Sequence, residues 1–286
     1  MDANLILLIH CPDRPGLVAT VTDLIRRANG NIVDLDQHVD TERKVFFMRV
    51  EWTPPAGDAA AAANFEQAFA REVAGPCSMT WRLERGDRRL RMALFVSRYG
   101  HCLHDILSRW ESGEWSVDIP LIVSNHRDLE SVAARHGIRF EHVPVTRETK
   151  AAAEARQLEL LRDAGADLVV LARYMQVLSD NFIEAMAGRV INIHHSFLPA
   201  FAGAQPYHAA YARGVKVIGA TSHYVTAELD AGPIIAQDVA TVSHKDSVDD
   251  MVRKGRDLEK IVLARAVYAH LQHRVLAYQN RTVVFD

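Results

Sequence analysis

The chain has 286 residues, with 33 Lys and Arg against 36 Asp and Glu, for a formal net charge of −3. This length is sufficient for two domains that each bury a core of their own. The nearly balanced charge argues against nucleic acid or another polyanion as a partner.

The cysteines and the apolar segments indicate a compartment. Cys11, Cys77 and Cys102 are an odd number at long spacings without a C-x-x-C motif. This pattern argues against a disulfide framework and a structural zinc site, and favours a reducing environment. The amino-terminal residues lack the basic region of a signal peptide, and no stretch approaches the ~18 apolar residues of a membrane span. We therefore expect a cytoplasmic protein with no membrane partner.

Residues 1–86 predict a first domain with strands and helices in the order β-α-β-β-α-β. The predicted elements are a strand at 5–11, a helix at 17–28, strands at 31–39 and 45–52, an alanine-rich helix and a strand at 79–83. We expect Asp58 to cap the alanine-rich helix. This order is the ferredoxin-like plan.

Two short segments of this domain, CPDRPGL at 11–17 and GNI at 30–32, resemble the ACT domain, a small-molecule-sensing module of amino-acid and one-carbon enzymes. Unpaired backbone N–H groups at a helix start can hold a carboxylate, so an amino-acid effector is expected here. The residues expected to contact it are Asp13, Arg14, Gly16, Leu17 and Asn31. Two alternatives stay open: a plain turn before a helix, and a module that only associates subunits into a homo-oligomer.

A charged stretch with a glycine at 84–89 predicts a linker to a second domain, residues 87–286. Beyond it the predicted strands are 90–96, 119–123, 140–145, 168–171 and 190–193, and the predicted helices are 102–110, 129–136 and 150–164. Alternating strands and helices predict an α/β domain with a Rossmann-like, doubly wound parallel sheet. Two further strands at 215–225 and 233–242 are expected to form an antiparallel pair before a long helix at 248–273.

Polar side chains stand where the predicted strand at 190–193 ends. Because side chains two residues apart share one face of a strand, Asn192 and His194 project together while Ile191 and Ile193 turn into the core. In open α/β sheets, ligands bind at the carboxyl ends of strands. With Asp230 added, an amide donor, an acid–base group and a carboxylate are present. Attack of water on an acyl carbon needs these parts.

Three ordered motifs extend this pattern: INIHHSFLPAF at 191–201, GATSHYV at 219–225 and LDAGPIIAQ at 229–237. They resemble the folate-dependent formyltransferase family over residues 90–275. In three features the chain departs from the transferases of this family and instead resembles a branch that hydrolyses 10-formyltetrahydrofolate to formate and tetrahydrofolate. His195 replaces a usual proline, GHCL at 100–103 replaces the Gly-Ser-Asn loop that transferases use for the acceptor's phosphate, and an ACT-like module is present. The tail at 279–284 is similar to this branch too.

The resemblance implies roles for the polar residues. Asn192 would polarise the formyl oxygen, His194 would pass a proton toward N10, and Asp230 would orient the attacking water and favour the charged imidazole. The folate substrate would be held by Tyr174, Met175, Gln176, Val177, Leu178, Val225, Thr226 and Glu228. Transferases commonly carry arginine where Gln176 stands, and glutamine cannot pair with a carboxylate as a cation would. No cofactor is expected, and the formate would supply one-carbon and purine metabolism.

Three neighbouring residues have two alternative roles each. His195 either shapes the water site or packs against its neighbours, and His101 likewise has either a role in the site or a packing role. Cys102 is either a thiol of lowered pKa at a helix start or a small buried hydrophobe. A metal site of the four histidines at 194, 195, 208 and 223 is not expected, because adjacent histidines on a strand point to opposite faces.

Two other functions also stay open. The first is formyl transfer to an amine acceptor, although the GHC segment at 100–102 offers little positive charge for a phosphate. The second is a non-catalytic folate or amino-acid sensor, against which the intact Asn192, His194 and Asp230 weigh.

Overall fold

The computed structural model describes residues 4–55, 60–200 and 206–286. The chain divides into two compact units. Unit one runs to Arg88 and includes Gln272–Tyr278 and Val283–Asp286, whereas unit two comprises Arg89–Leu271 and Gln279–Thr282. The predicted boundary between residues 86 and 87 stays a prediction. Asp58, the expected helix cap, lies outside the described residues.

Unit one contains an antiparallel four-stranded sheet. Its strands are β1 (Leu5–Pro12), β2 (Asn31–Asp40), β3 (Val45–Thr53) and β4 (Thr80–Arg85). Its helices are α1 (Leu17–Arg27), α2 (Ala61–Phe69) and α3 (Gly75–Cys77), with a π-helical turn at Ala70–Ala74 between the last two. The strand order is β2-β3-β1-β4, with every neighbouring pair antiparallel. The predicted β-α-β-β-α-β order is confirmed.

Strand β1 is buried on both faces, which explains its uninterrupted apolar sequence. Leu7 and Ile9 belong to the apolar cluster that includes the helices. Ile6 and Leu8 instead pack in a second cluster with Leu276 from the carboxyl-terminal segment of unit one. That segment contributes to a two-stranded ladder of β12 (Val275–Tyr278) and β13 (Arg281–Val284), which the sequence analysis did not predict.

The predicted linker at 84–89 is wrong at its start. Strand β4 extends to Arg85, and Glu84 and Arg85 pair with Ile6 and Leu5 of β1. Charged side chains are common on edge strands, where they discourage pairing with other chains. A charged composition therefore could not distinguish an edge strand from a linker.

Unit two contains a seven-stranded mixed sheet. Its strands are β5 (Leu90–Val96), β6 (Val117–Ser124), β7 (Arg139–His142), β8 (Leu168–Leu171), β9 (Val190–His194), β10 (Val217–Tyr224) and β11 (Ile234–Thr241). Its helices are α4 (His101–Glu111), α5 (Glu130–Arg135), α6 (Lys150–Asp163), α7 (Asp180–Ala185), α8 (Pro206–Arg213) and α9 (Val248–Leu271). Helices α7 and α8 were not predicted. None of the helices in the described ranges is both long and apolar enough to cross a membrane.

The strand order of unit two, β11-β10-β9-β8-β5-β6-β7, determines where a ligand can enter. Strands β5 to β9 are parallel, and β9, β10 and β11 pair in antiparallel fashion, so the predicted α/β class and the predicted antiparallel pair are both confirmed. The first strand, β5, lies between β6 and β8, so the direction of winding reverses beside it. Such a reversal opens a crevice at the carboxyl ends of the strands.

Candidate active site

A cavity of about 580 Å³ lies at the carboxyl ends of β8 and β9. All eight residues that the sequence analysis assigned to substrate binding line it: Tyr174, Met175, Gln176, Val177, Leu178, Val225, Thr226 and Glu228. Asn192, His194 and Asp230 line it as well. Segments that are far apart along the chain thus meet in one space of the size that small organic ligands occupy.

Part of the rim of this cavity is apolar. Met175, Val177 and Leu229 are 51%, 56% and 63% exposed, although each is apolar. Large apolar side chains grouped around a crevice usually mark a binding surface rather than a packing defect. The rim therefore offers contact area, and Asn192, His194 and Asp230 are less exposed than these apolar side chains.

Strand β9 carries two of the three central residues. Ile191 is buried in the core, while Asn192 and His194 reach the cavity, as the alternation of a strand requires. Ile193 is buried too, and it also borders the cavity. His194 is 6% exposed. Its Nδ1 atom lies 3.3 Å from Oδ1 of Asp230.

Asp230 reaches His194 from a tight loop. Its backbone is left-handed, with φ 54°, a conformation that aspartate tolerates better than most residues. Gly232 follows in a place where a Cβ would overlap the carbonyl oxygen of Tyr224, so the loop can only pass there without a side chain. The Asn280 side chain donates to the carbonyl of Ala231 at 2.8 Å and so also holds the loop.

Asp230 is a carboxylate in this setting. The hydrogen bond from His194 holds the pKa of the Asp230 carboxyl below its usual value and outweighs partial burial, and the nearby imidazoles of His223 and His195 act in the same direction. The anion in turn favours the tautomer of His194 that carries its proton on Nδ1. Nε2 of His194 is buried without a hydrogen-bond partner among the described residues, so it is available to a bound molecule.

A further histidine, His223 of β10, orients Asn192 and was not among the predicted site residues. It lies directly opposite Asn192 in the antiparallel pairing of β9 and β10. Its Nδ1 lies 2.9 Å from the carbonyl oxygen of Tyr224, and only a protonated nitrogen can donate there. Nε2 of the neutral ring then accepts from Asn192 Nδ2 at 3.3 Å. Burial lowers the pKa of His223 and keeps the ring neutral.

His195 corrects one expectation. Adjacent histidines were expected on opposite faces, yet both His194 and His195 line the cavity, with ring centroids 5.2 Å apart. The alternation fails because β9 ends at His194 and the chain leaves the pleated conformation there. Burial, with help from the charge of Arg173, lowers the pKa of His195 to about 4.

We expect this neutral histidine to make the protein sensitive to acid. The unfolded chain binds a proton on His195 near pH 6.5 and the folded chain only near about pH 4, so stability is lost as pH falls through this window. The loss from this residue is about 3 kcal/mol when the pH has fallen through the whole window. Urea unfolding of the wild type and of His195→Gln, at neutral pH and near about pH 4, measures this loss of stability. Glutamine does not titrate, so the variant should lose less stability, and equal losses would contradict the prediction.

The remaining predicted auxiliary residues lie around a buried carboxylate, Glu259 of α9. His101 Nε2 is 2.7 Å from Glu259 Oε2, and the Tyr207 hydroxyl donates to Oε1 at 2.8 Å. Cys102 is 1% exposed and does not line the cavity, and burial raises the pKa of its thiol. The alternative of a lowered thiol pKa is therefore wrong, because desolvation outweighs the position at a helix start.

These residues could also be considered as metal ligands. Ligand atoms of His101, Cys102 and Glu259 lie within 4.8 Å of one another, the one such group among the described residues. Arg173 Nε lies 3.5 Å from the same glutamate oxygen, however, and its fixed positive charge would oppose a cation. We interpret the group as an ion-pair network. Glu259, Arg173 and Tyr207 were all missed from sequence.

The predicted effector residues of unit one surround the start of α1. Gly16 adopts a left-handed conformation with φ 89° and precedes the helix without a side-chain cap. Asp13, Arg14 and Asn31 are exposed, whereas Leu17 is 3% exposed in the core and offers mainly its backbone. Arg14 donates to the carbonyl of Pro76 at 3.2 Å and so is already partly engaged.

Known proteins are similar to this chain over nearly its whole length. A formyltetrahydrofolate deformylase of Synechocystis is 53% identical, covering 98% of this chain and 97% of that protein, and the one of Escherichia coli strain K12 is 41% identical with the same coverage. The crystal structure of a formyltetrahydrofolate deformylase from Pseudomonas syringae matches with a TM-score of 0.95 at 49% identity, covering 100% of this chain and 95% of that one. A glycinamide ribonucleotide transformylase from Symbiobacterium toebii matches 72% of this chain and 98% of its own, with a TM-score of 0.66 at 31% identity.

The sequence profile of the formyl transferases matches residues 90–267, and that of the ACT domain matches residues 5–62. With the fold and the cavity described above, they define a formyl transferase domain joined to an ACT domain. The relatives that share both parts are formyltetrahydrofolate deformylases, and the chain belongs to that family. The resemblance on which the sequence analysis relied is thereby confirmed.

Proposed function

We propose that this protein hydrolyses 10-formyltetrahydrofolate to formate and tetrahydrofolate by direct attack of water on the formyl carbon. The observation that carries the proposal is the pairing of His194 Nδ1 with Asp230 at 3.3 Å in the cavity that Asn192 also lines. The names of the full-length relatives support the choice of substrate and reaction.

The reaction begins with the activation of water. Asp230, as a carboxylate, holds the proton of His194 on Nδ1 and leaves Nε2 as the base. A water molecule beside the formyl carbon gives a proton to Nε2 while its oxygen forms the new C–O bond. The imidazolium that results is stabilised by the adjacent carboxylate, as in other acid–base pairs of this kind.

Asn192 holds the negative charge that forms on the formyl oxygen. Its Nδ2 atom has two hydrogens, and His223 accepts only one of them. None of the described residues accepts the second hydrogen, which can therefore be donated to the oxyanion. A single fixed donor of this type contributes about 3 kcal/mol to an acyl-transfer transition state.

The intermediate then breaks at the bond between carbon and N10. His194 returns the proton to N10, so tetrahydrofolate leaves as a neutral amine and the histidine regains its starting state. Formic acid loses its remaining proton to solvent and leaves as formate. The atoms and charges balance without a metal or a redox cofactor as reactant.

The proposal extends to regulation and assembly. Residues 1–86 would form a regulatory ACT domain and residues 87–286 the catalytic domain of a cytoplasmic homo-oligomer. An amino acid would bind near Asp13, Arg14, Gly16, Leu17 and Asn31. The match to the ACT profile supports a small-molecule ligand for this part.

The decisive test omits any amine acceptor. We expect purified protein to release one formate for each tetrahydrofolate formed, measured by a coupled formate dehydrogenase assay and by tetrahydrofolate absorbance. Adding glycinamide ribonucleotide should leave the ratio unchanged. Folded protein that releases formate only as a formylated amine would contradict hydrolysis and favour a transferase. Folded protein that binds the folate without turnover would favour a sensor.

A further inference from the structure

One group of charged residues in the cavity has no part in the mechanism above. Arg173, Arg256 and Glu259 all line the cavity, and the two guanidinium groups lie 5.6 and 5.5 Å from the ring centre of Tyr99. His101, the first residue of α4, lies at the same place, and the first turn of α4 contains no acidic residue and no side-chain cap. Positive charge and a helix start therefore converge on this part of the wall.

Glu259 lies at the centre of this positive region. It is 1% exposed and contacts three groups: His101 at 2.7 Å, Tyr207 at 2.8 Å and Arg173 at 3.5 Å. Burial alone would raise the pKa of Glu259, but the hydrogen bond from His101 and the charge of Arg173 hold it below its usual value. The carboxylate is thus an anion held by the donors that an anionic ligand would use.

The positive region would bind an anion if Glu259 carried no charge. Arg173 is 9% exposed, and none of the described residues accepts a hydrogen bond from its Nε atom. A buried guanidinium with an unused donor is costly unless it has a counter-charge. Glu259 supplies that charge from within the chain and offsets the charge of Arg173, so a second anion beside Arg173 would be repelled by the carboxylate already there.

We propose that Glu259 is an internal anion that fills a cationic subsite of the substrate cavity and so excludes phosphate- or carboxylate-bearing molecules from it. The consequence for specificity rests on the proposed function. A formyl acceptor that must dock through an anionic group finds the position taken, so the formyl carbon meets water instead. Glu259 acts here on specificity, not on the bonds that break.

The test compares inorganic phosphate binding by the wild type and by Glu259→Gln, measured by isothermal calorimetry and by phosphorus NMR line broadening. Glutamine keeps the shape and one accepting oxygen but removes the charge, and its amide nitrogen can only donate. We expect phosphate affinity to rise at least about tenfold, because one like charge at contact distance is gone. Phosphate should also inhibit formate release by Glu259→Gln more strongly than it inhibits the wild type.

Matched variants separate charge from loosening of the structure. Glu154→Gln removes another buried carboxylate, which accepts from Ser179 N at 3.0 Å outside the cavity lining, and should leave phosphate affinity at the wild-type value. Tyr207→Phe removes a partner of Glu259 but keeps the charge, and should also show no gain. Adding Arg173→Gln to Glu259→Gln should abolish the gain.

The outcomes are distinct from those of the hydrolysis test, because phosphate binding needs no turnover. A folded Glu259→Gln protein with wild-type phosphate affinity would overturn the proposal. So would failure of both Glu259→Gln and Glu259→Ala to fold while Glu154→Gln folds, since Glu259 would then serve the core and not the subsite. A gain in phosphate affinity without any formate release by the wild type would refute only the proposed reaction.

Discussion

Replacing Asp230 with asparagine is expected to lower kcat for formate release about 10²–10⁴-fold. The neutral amide removes the charge that stabilises the imidazolium of His194, which lies 3.3 Å away. The amide can also present its own N–H to Nδ1 and thereby move the proton of His194 to Nε2, the wrong tautomer for accepting a proton from water. Steady-state and single-turnover formate release, each measured at saturating folate, would show the loss in the chemical step.

The control for this variant is Asp238→Asn. Asp238 of β11 pairs with Arg265 at the surface at 2.9 Å, and exposed pairs of this kind contribute little. This protein should therefore keep wild-type turnover. Wild-type turnover by Asp230→Asn would show that the pair of Asp230 and His194 has no part in catalysis.

The Asp230 carboxylate also stabilises the fold, because its pKa is lowered in the folded state. This contribution is present above the usual aspartate pKa and is lost as pH falls through the lowered pKa.

The backbone plan of both units could be predicted from sequence because each core strand has one consistent pattern. Residues 168–171 are apolar throughout, and β8 spans those residues and is buried on both faces. Residues 191–194 alternate, and the structure places Asn192 on the cavity side and Ile191 in the core. Periodicity indicates which face of a strand is covered, and this was enough to bring Asn192 and His194 to one wall.

Other parts could not be predicted because their signal depends on residues distant in sequence. His223 reads as one polar residue in a buried strand, and only the register against Asn192 gives it a role. Glu259 lies in a long helix with charged residues all along it, and its burial depends on His101, Tyr207 and Arg173 closing around it. Amphipathic helices predict a covered face, not the partner that covers it.

The substitution Gly232→Ala should abolish most activity although it touches no reacting atom. A Cβ at this position would overlap the carbonyl oxygen of Tyr224, whose N–H donates to Pro233 at 2.9 Å. Two backbone segments cannot separate without breaking this bond, so the loop must move and carry Asp230 away from His194. We expect kcat to fall by at least about 10²-fold, since displacements near 1 Å have such effects in positioned catalytic groups.

Gly137→Ala is the matched control for that glycine. Gly137 has φ 65° and open space around its Cα, so alanine there strains the backbone without a clash and should cost stability of about 1 kcal/mol. Turnover should stay at the wild-type level in Gly137→Ala and fall in Gly232→Ala. This should hold even if urea unfolding shows that Gly137→Ala is less stable than Gly232→Ala. Activity that instead followed stability in both variants would show that the loop tolerates displacement, and that the distance between Asp230 and His194 does not limit the reaction.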